Sequence, residues 1–120
     1  MKDYSVFLLE PDDLVREAFL SILEHKEYAV YPFNNPWEAE SFIKKIQFQI
    51  AFIDASMGNF DIQGLIKQIA EISPPPSVIL TASRPEVDEM MTFFNLDVSS
   101  ILLKPVSIKE LDNALHKAIN

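Results

Sequence analysis

The chain has 120 residues, of which 48% are hydrophobic, so a single domain with a continuous core is expected. Its formal net charge of −8 repels phosphate backbones and anionic lipid surfaces, which argues against nucleic acid or a membrane as a partner of this domain alone. Because the chain contains no cysteine, disulfides and thiolate metal sites are excluded. The first residues look like neither a signal peptide nor a membrane span, so we expect a cytoplasmic protein.

Five apolar runs rich in β-branched and aromatic residues follow one another along the chain. In order they read YSVFLL, YAVYPF, QIAFID, SVILTA and SSILL. Each is separated from the next by an amphipathic stretch that is long enough for a helix. Parallel strands need such crossover connections and read as nearly continuous apolar segments. The pattern therefore predicts an α/β fold with a doubly wound, five-stranded parallel sheet and helices on both faces.

Helix starts are indicated independently by capping boxes, in which a capping residue precedes a glutamate by three positions. Three such boxes occur, at Asn35–Glu38, Ser83–Glu86 and Ser107–Glu110. The amphipathic pattern predicts two further helices, roughly from Asp13 to His25 and from Ile62 to Ile72.

Polar residues collect where the predicted strands end. In an open doubly wound sheet, ligands bind at the carboxyl ends of the strands, where the winding reverses. An acidic cluster follows the first strand, a carboxylate the third, a hydroxyl the fourth and a lysine the fifth. The residues concerned are Glu10, Pro11, Asp12, Asp54, Thr81 and Lys104.

Three of these residues suit phosphoryl transfer. A strand-end carboxylate such as Asp54 can attack phosphorus if positive charge neutralises the incoming group. Mg²⁺ and Lys104 would supply that charge, and the Thr81 hydroxyl would donate a hydrogen bond to a phosphoryl oxygen. Each residue also has an ordinary interpretation: Asp54 as a loop cap, Thr81 as a β-former and Lys104 as a solvated lysine. Their joint placement at consecutive strand ends favours the functional one.

The whole chain, residues 1–120, resembles a single receiver domain of the response regulators of bacterial two-component systems. The matching stretches are FLLEPDDLVREAF, IAFIDASMGNFD, VILTAS and ILLKPVSIKEL. The resemblance implies the flavodoxin-like strand order 2-1-3-4-5. It also implies that Asp54 is the phosphoacceptor for a sensor histidine kinase or a phosphotransfer protein, and that Thr81 and Lys104 respond to the phosphoryl group. Only self-phosphorylation and autodephosphorylation chemistry is implied, not a classical enzyme.

Two further features follow from the same resemblance. The Lys104–Pro105 bond would be cis, and the backbone carbonyl of Ser56 would join the shell of the metal ion. Ser56 and Ser83 match positions that tune dephosphorylation in the family.

The acidic pair after the first strand departs from the family pattern. Pro11 stands at the second acidic position, which normally supplies a carboxylate to Mg²⁺, and proline has no side-chain oxygen. Glu10 is longer than the usual aspartate and could reach the metal, whereas Asp12 could either bind it or cap the first helix. The implied Mg²⁺ ligands are then Glu10, Asp12, Asp54 and the Ser56 carbonyl, in a site that is weakened or absent.

Two hypotheses therefore stand. The first is a phosphorylation-dependent switch, which the joint presence of Asp54, Thr81 and Lys104 supports. The second is a pseudo-receiver that acts as an interaction module without phosphorylation, which Pro11 and Ile101 support, because Ile101 replaces the family's aromatic switch residue.

Either hypothesis requires a surface that binds an effector protein or a fused output domain. In the stretch PEVDEMMTFFN, Met90 and Phe93 lie off the stripe formed by the apolar residues Val87, Met91 and Phe94. They either widen a buried stripe or form an exposed apolar patch for a partner. The resemblance places a homodimer or effector face on the fourth helix, the fifth strand and the fifth helix.

Overall fold

Strands and helices alternate along the part of the chain that the structure describes. The computed structural model describes residues 4–90 and 98–119. The strands are β1 (Ser5–Leu9), β2 (Ala29–Phe33), β3 (Ile50–Asp54), β4 (Ser77–Ala82) and β5 (Ser100–Leu103). The helices are α1 (Asp13–His25), α2 (Pro36–Phe42), α3 (Ile62–Ala70), α4 (Arg84–Met90) and α5 (Ile108–Ile119).

All neighbouring strands pair in parallel, and their order in the sheet is β2-β1-β3-β4-β5. This confirms the predicted fold class and strand order. The register places Leu9 beside Ile53 and Asp54 beside Thr81. The residue that follows β1 and the last residue of β3 therefore lie at the same edge of the sheet, next to the carboxyl end of β4.

Side chains on the two faces of the sheet form two separate hydrophobic clusters. Because side chains alternate along a strand, Phe7 and Ile53 pack with α2 and α3 on one face. Val6 and Phe52 pack with α1 and α5 on the other. All five residues of β3 are buried, as expected for the central strand of a doubly covered parallel sheet.

The predicted helix caps are present. The Asn35 side chain accepts a hydrogen bond from the Glu38 N–H at 3.0 Å. The Ser83 N–H donates to the Glu86 carboxylate at 2.8 Å. Ser107 and Glu110 form the reciprocal pair of bonds that defines a capping box.

One predicted helix boundary differs from the structure. Helix α3 ends at Ala70, two residues before the predicted end at Ile72. The Ile72 N–H donates to the Ile69 carbonyl at 3.1 Å, a bond that tightens the last turn and closes the helix. The prolines that follow at 74–76 cannot continue it.

The predictions for Met91, Phe93 and Phe94 concern residues outside the described ranges. The side chain of Met90 also lies outside what the structure describes. The homodimer or effector face on α4, β5 and α5 therefore stays a prediction. In residues 4–90 and 98–119, no helix is long and apolar enough to span a bilayer.

Candidate functional site

The site is built around Asp54, the last residue of β3. Its side chain is 1% exposed, although it carries a carboxylate. Burial of a charged group is costly unless a partner compensates it. The compensating partner is the Lys104 ammonium, which lies 3.1 Å from Asp54 Oδ1.

Lys104 follows β5 directly and contacts a second buried carboxylate. Its Nζ lies 2.8 Å from Oε1 of Glu10, a residue that follows β1 and is 2% exposed. Lys104 is thus not the solvated lysine of the ordinary interpretation. The Lys104–Pro105 peptide bond is cis, as the resemblance implied. The ammonium therefore joins the ends of β1, β3 and β5.

The pKa of the Lys104 ammonium lies above its ordinary value of 10.5. Burial is the largest single influence and by itself lowers this pKa. The hydrogen bonds to Glu10 and Asp54 and the negative charges of the two carboxylates together outweigh that effect. Lys104 is therefore fully charged at neutral pH.

This shift predicts how stability depends on pH. Because the folded-state pKa is above the unfolded value of 10.5, the contribution of Lys104 is complete below that pH and is lost as the pH rises through the folded value. The difference in unfolding free energy between wild type and Lys104→Met should stay constant from neutral pH to about pH 10 and then shrink. Urea unfolding across that range measures it. A difference that grows with alkaline pH would contradict the assignment.

Ser56 makes two contacts with the same aspartate. Its hydroxyl donates to Asp54 Oδ2, and its backbone N–H donates to Oδ1 at 3.3 Å. The resemblance implied that the Ser56 carbonyl is a metal ligand and that Ser56 tunes dephosphorylation, but it did not imply this hydrogen bond from the hydroxyl. A serine two residues after a strand-end acid is the signal that could have indicated this turn.

Thr81 lies beside Asp54 on the neighbouring strand. It is 2% exposed and belongs to β4 itself, one residue before the strand ends, whereas the prediction placed it after the strand. Among the described residues its hydroxyl has no hydrogen-bond partner. An unpaired buried hydroxyl costs stability. The Thr81 hydroxyl is therefore available to donate to an acceptor that is brought next to Asp54.

Asp12 does not join the two buried carboxylates. Its Oδ1 accepts a hydrogen bond from the Val15 N–H at 3.0 Å, and so caps α1. Its own N–H donates to Glu10 Oε2 at 3.0 Å. Capping was the alternative to metal binding for this residue. No three acidic or histidine side chains are grouped to hold a metal in the part of the chain that the structure describes.

Glu10 and Asp54 nevertheless fit a Mg²⁺ ion in one respect. Mg²⁺ is usually held by one or two carboxylates, with water and phosphate oxygens completing its coordination. Glu10 Oε1 and Asp54 Oδ1 contact the same cationic group, so both are directed at one place. Pro11 contributes no side-chain oxygen, and Asp12 is engaged at the helix cap. The donor set is therefore small but suitable.

Arg16 is a residue that sequence analysis missed. Its Nη1 donates to the Glu10 carbonyl at 3.0 Å, and its Nη2 lies 2.6 Å from Asp13 Oδ1. These contacts hold the turn that orients Glu10. A basic residue in the first turn of a helix that follows an acidic loop could have indicated such a contact. Only the folded structure shows that Arg16 binds the Glu10 carbonyl.

Ile101 lies on β5, with 40% of its side chain exposed. It is the residue that replaces the aromatic side chain expected from the resemblance. Its exposure shows that an aliphatic side chain at this position faces the surface rather than the core.

Comparisons with known proteins match nearly the whole chain. A family model described as the response regulator receiver domain matches residues 6–116. The chain is 28% identical over 117 residues to the transcriptional regulatory protein CrdR of Helicobacter pylori, covering 96% of this chain and 54% of CrdR. It is 21% identical over 114 residues to the alginate biosynthesis transcriptional regulatory protein AlgB of Pseudomonas putida, covering 95% and 25%. The chain thus spans about half the length of CrdR and a quarter of AlgB.

Solved structures share the fold. A receiver domain protein from Clostridium thermocellum has a TM-score of 0.85 at 18% identity and covers 98% of this chain, with 94% of its own length aligned. A receiver protein from Pseudomonas putida has a TM-score of 0.82 at 22% identity, with 98% of each chain covered. Because the family model spans most of its length, the chain belongs to the response regulator receiver domains, the signalling modules of two-component systems.

Proposed function

We propose that Asp54 accepts a phosphoryl group from a phosphohistidine of a sensor histidine kinase or a phosphotransfer protein. The observation that carries this proposal is the buried Asp54 carboxylate, which lies 3.1 Å from the Lys104 ammonium and beside Thr81 on the next strand, whose hydroxyl has no partner among the described residues. A nucleophile, a cation and a hydroxyl donor therefore lie near one another at the same end of the sheet.

The transfer is a single substitution at phosphorus. A carboxylate oxygen of Asp54 forms the new bond to phosphorus, and the bond between phosphorus and the donor imidazole nitrogen breaks. The imidazole leaves with the bonding electrons and takes up a proton. Lys104 offsets the negative charge on the phosphoryl oxygens, and Thr81 donates to one of them.

A Mg²⁺ ion, when bound, would add further positive charge at these oxygens. Glu10 and Asp54 are the side chains that would hold it, with the Ser56 carbonyl as the proposed backbone ligand. Because Pro11 replaces one acid and Asp12 caps α1, we infer that the affinity for Mg²⁺ is lower than three free carboxylates would give.

The phosphorylated state would act on a partner surface. Thr81 would move toward the phosphoryl group, and it pairs with Leu102 of β5, the strand that carries the exposed Ile101. The partner is an effector protein or a fused output domain. CrdR and AlgB are named transcriptional regulatory proteins, and we propose that this receiver domain likewise controls transcription through its partner. We also propose that the protein is cytoplasmic.

A pseudo-receiver remains the second candidate function. The replacement of an acid by Pro11 and the capping role of Asp12 favour it, because they reduce the carboxylates available to a metal. In this case the receiver fold would bind a partner without phosphorylation.

Intact mass after incubation with a small-molecule phosphodonor distinguishes the two functions. We expect wild type to gain one phosphoryl group, with a higher yield in the presence of Mg²⁺. Asp54→Asn should gain none, whereas Asp112→Asn should behave as wild type, because Asp112 pairs with Lys26 away from the site. Failure of wild type to gain mass at any Mg²⁺ concentration would support the pseudo-receiver.

A further inference from the structure

The exposed Ser56 is hydrogen-bonded to the buried carboxylate at the centre of the site. Its hydroxyl donates to Asp54 Oδ2, and its backbone N–H donates to Asp54 Oδ1 at 3.3 Å. A hydroxyl that donates its proton to a carboxylate keeps its own lone pairs available to another atom. Ser56 and Asp54 therefore have the arrangement of a nucleophile and its general base.

A cation and a hydrogen-bond donor lie next to this pair of residues. The Lys104 ammonium is 3.1 Å from Asp54 Oδ1, the other oxygen of the same carboxylate. The Thr81 hydroxyl is on the neighbouring strand and has no hydrogen-bond partner among the described residues. A phosphoryl group on the Ser56 oxygen would lie close to the same ammonium that would offset the charge of one on Asp54. The groups that favour phosphoryl transfer to the aspartate therefore also favour transfer to the serine.

We propose that Ser56 is a second phosphoacceptor of this domain, with Asp54 as its general base and a compound with a phosphorus–nitrogen bond, such as phosphohistidine, as the donor. The proposal takes its donor from the proposed function and rests on that function to this extent. The acceptor atom is different, because a hydroxyl oxygen yields a phosphate ester and a carboxylate yields an acyl phosphate. A phosphate ester is very resistant to hydrolysis, so phosphoserine would be a lasting form of the signal.

The transfer is one substitution at phosphorus. The Ser56 oxygen forms the new bond to phosphorus, and its proton passes to Asp54 Oδ2, as a substrate hydroxyl gives its proton to an aspartate in protein kinases. The bond between phosphorus and the donor nitrogen breaks, and that nitrogen leaves with the bonding electrons and takes up a proton. Asp54 cannot act as a base while it carries a phosphoryl group itself, and a phosphoryl group on Ser56 would repel a second one at Asp54. Each chain therefore carries one phosphoryl group at a time.

Incubation of the whole chain with phosphoramidate, followed by treatment with hydroxylamine, tests the proposal. Hydroxylamine removes a phosphoryl group from a carboxylate and leaves one that is attached to a serine. We expect a fraction of wild type to keep its phosphoryl group after this treatment, and peptide mass mapping should assign that group to Ser56. The fraction that hydroxylamine removes reports the modification of Asp54 separately. A failure of the proposed function and a failure of this proposal therefore give different results.

Variants of the two residues separate their roles. Ser56→Ala should lose the hydroxylamine-resistant fraction. Asp54→Asn keeps the shape of the side chain and removes the base, so the rate of Ser56 modification should fall about a hundredfold or more. Ser107→Ala is the matched control, because the Ser107 hydroxyl also donates to a carboxylate, that of Glu110, at 2.9 Å. Among the described residues, no lysine or arginine forms an ion pair with Glu110, so Ser107 should stay unmodified and Ser107→Ala should behave as wild type.

Two results on wild type would overturn the proposal, and neither depends on how the variants fold. The first is the removal of all phosphoryl groups by hydroxylamine. The second is a resistant phosphoryl group that maps to a residue other than Ser56. An unchanged rate of Ser56 modification in Asp54→Asn would also overturn it, because the aspartate would then not be the base.

Discussion

Replacing Phe52 with alanine is expected to lower the free energy of unfolding by about 3–5 kcal/mol. Phe52 lies on β3, the central strand, and is 1% exposed. Its ring centre is 5.5 Å from that of Phe19 on α1, and it belongs to the cluster that holds α1 and α5 against the sheet. Truncation removes the buried ring and leaves a cavity between the sheet and the helices α1 and α5. Because the surrounding core is closely packed, these elements cannot shift enough to fill it.

Phe42→Ala is the matched control for this experiment. Phe42 is also a phenylalanine with an aromatic neighbour, Phe33, but 37% of its side chain is exposed. Urea unfolding followed by far-ultraviolet circular dichroism should give a clearly smaller loss for Phe42→Ala. Equal losses for the two variants would contradict the placement of Phe52 in the core.

Lys104→Met is expected to lower the unfolding free energy by about 3 kcal/mol in the absence of divalent cations, the low end of the range for breaking a buried ion pair. The low end applies because the Lys104 side chain is 27% exposed. The loss arises from Glu10 and Asp54, which remain buried without a counter-charge. Since the methionine keeps most of the stem, lost packing contributes little.

Two companion variants separate this charge effect from general damage. Asp54→Asn in the Lys104→Met background should recover part of the lost stability, because it removes one of the two unbalanced charges. Lys26→Met, which removes a partly exposed ion pair between the C-cap of α1 and Asp112 of α5, should cost about 1 kcal/mol or less. Thermal and urea unfolding at neutral pH give both values. A loss in Lys104→Met that Asp54→Asn does not relieve would argue against charge as its cause.

Local patterns in the sequence were sufficient to predict most of the fold. The apolar runs identified all five strands, because a strand covered on both faces must be apolar along its length. The capping boxes located the starts of α2, α4 and α5, because a cap is formed by residues three apart. The end of α3 was less accurate, since several residues at a helix end can close the last turn.

The sequence by itself determined which chemical groups reach the site, since parallel strands bring Asp54, Thr81 and Lys104 to one edge of the sheet. Only the tertiary structure decided how those groups pair. Glu10 and Lys104 lie far apart along the chain, and no local pattern shows that they are 2.8 Å apart. The sequence also left Asp12 between a helix cap and a metal ligand. That choice depends on the direction of a side chain, which is set by the hydrogen bonds available to it once the turn has folded.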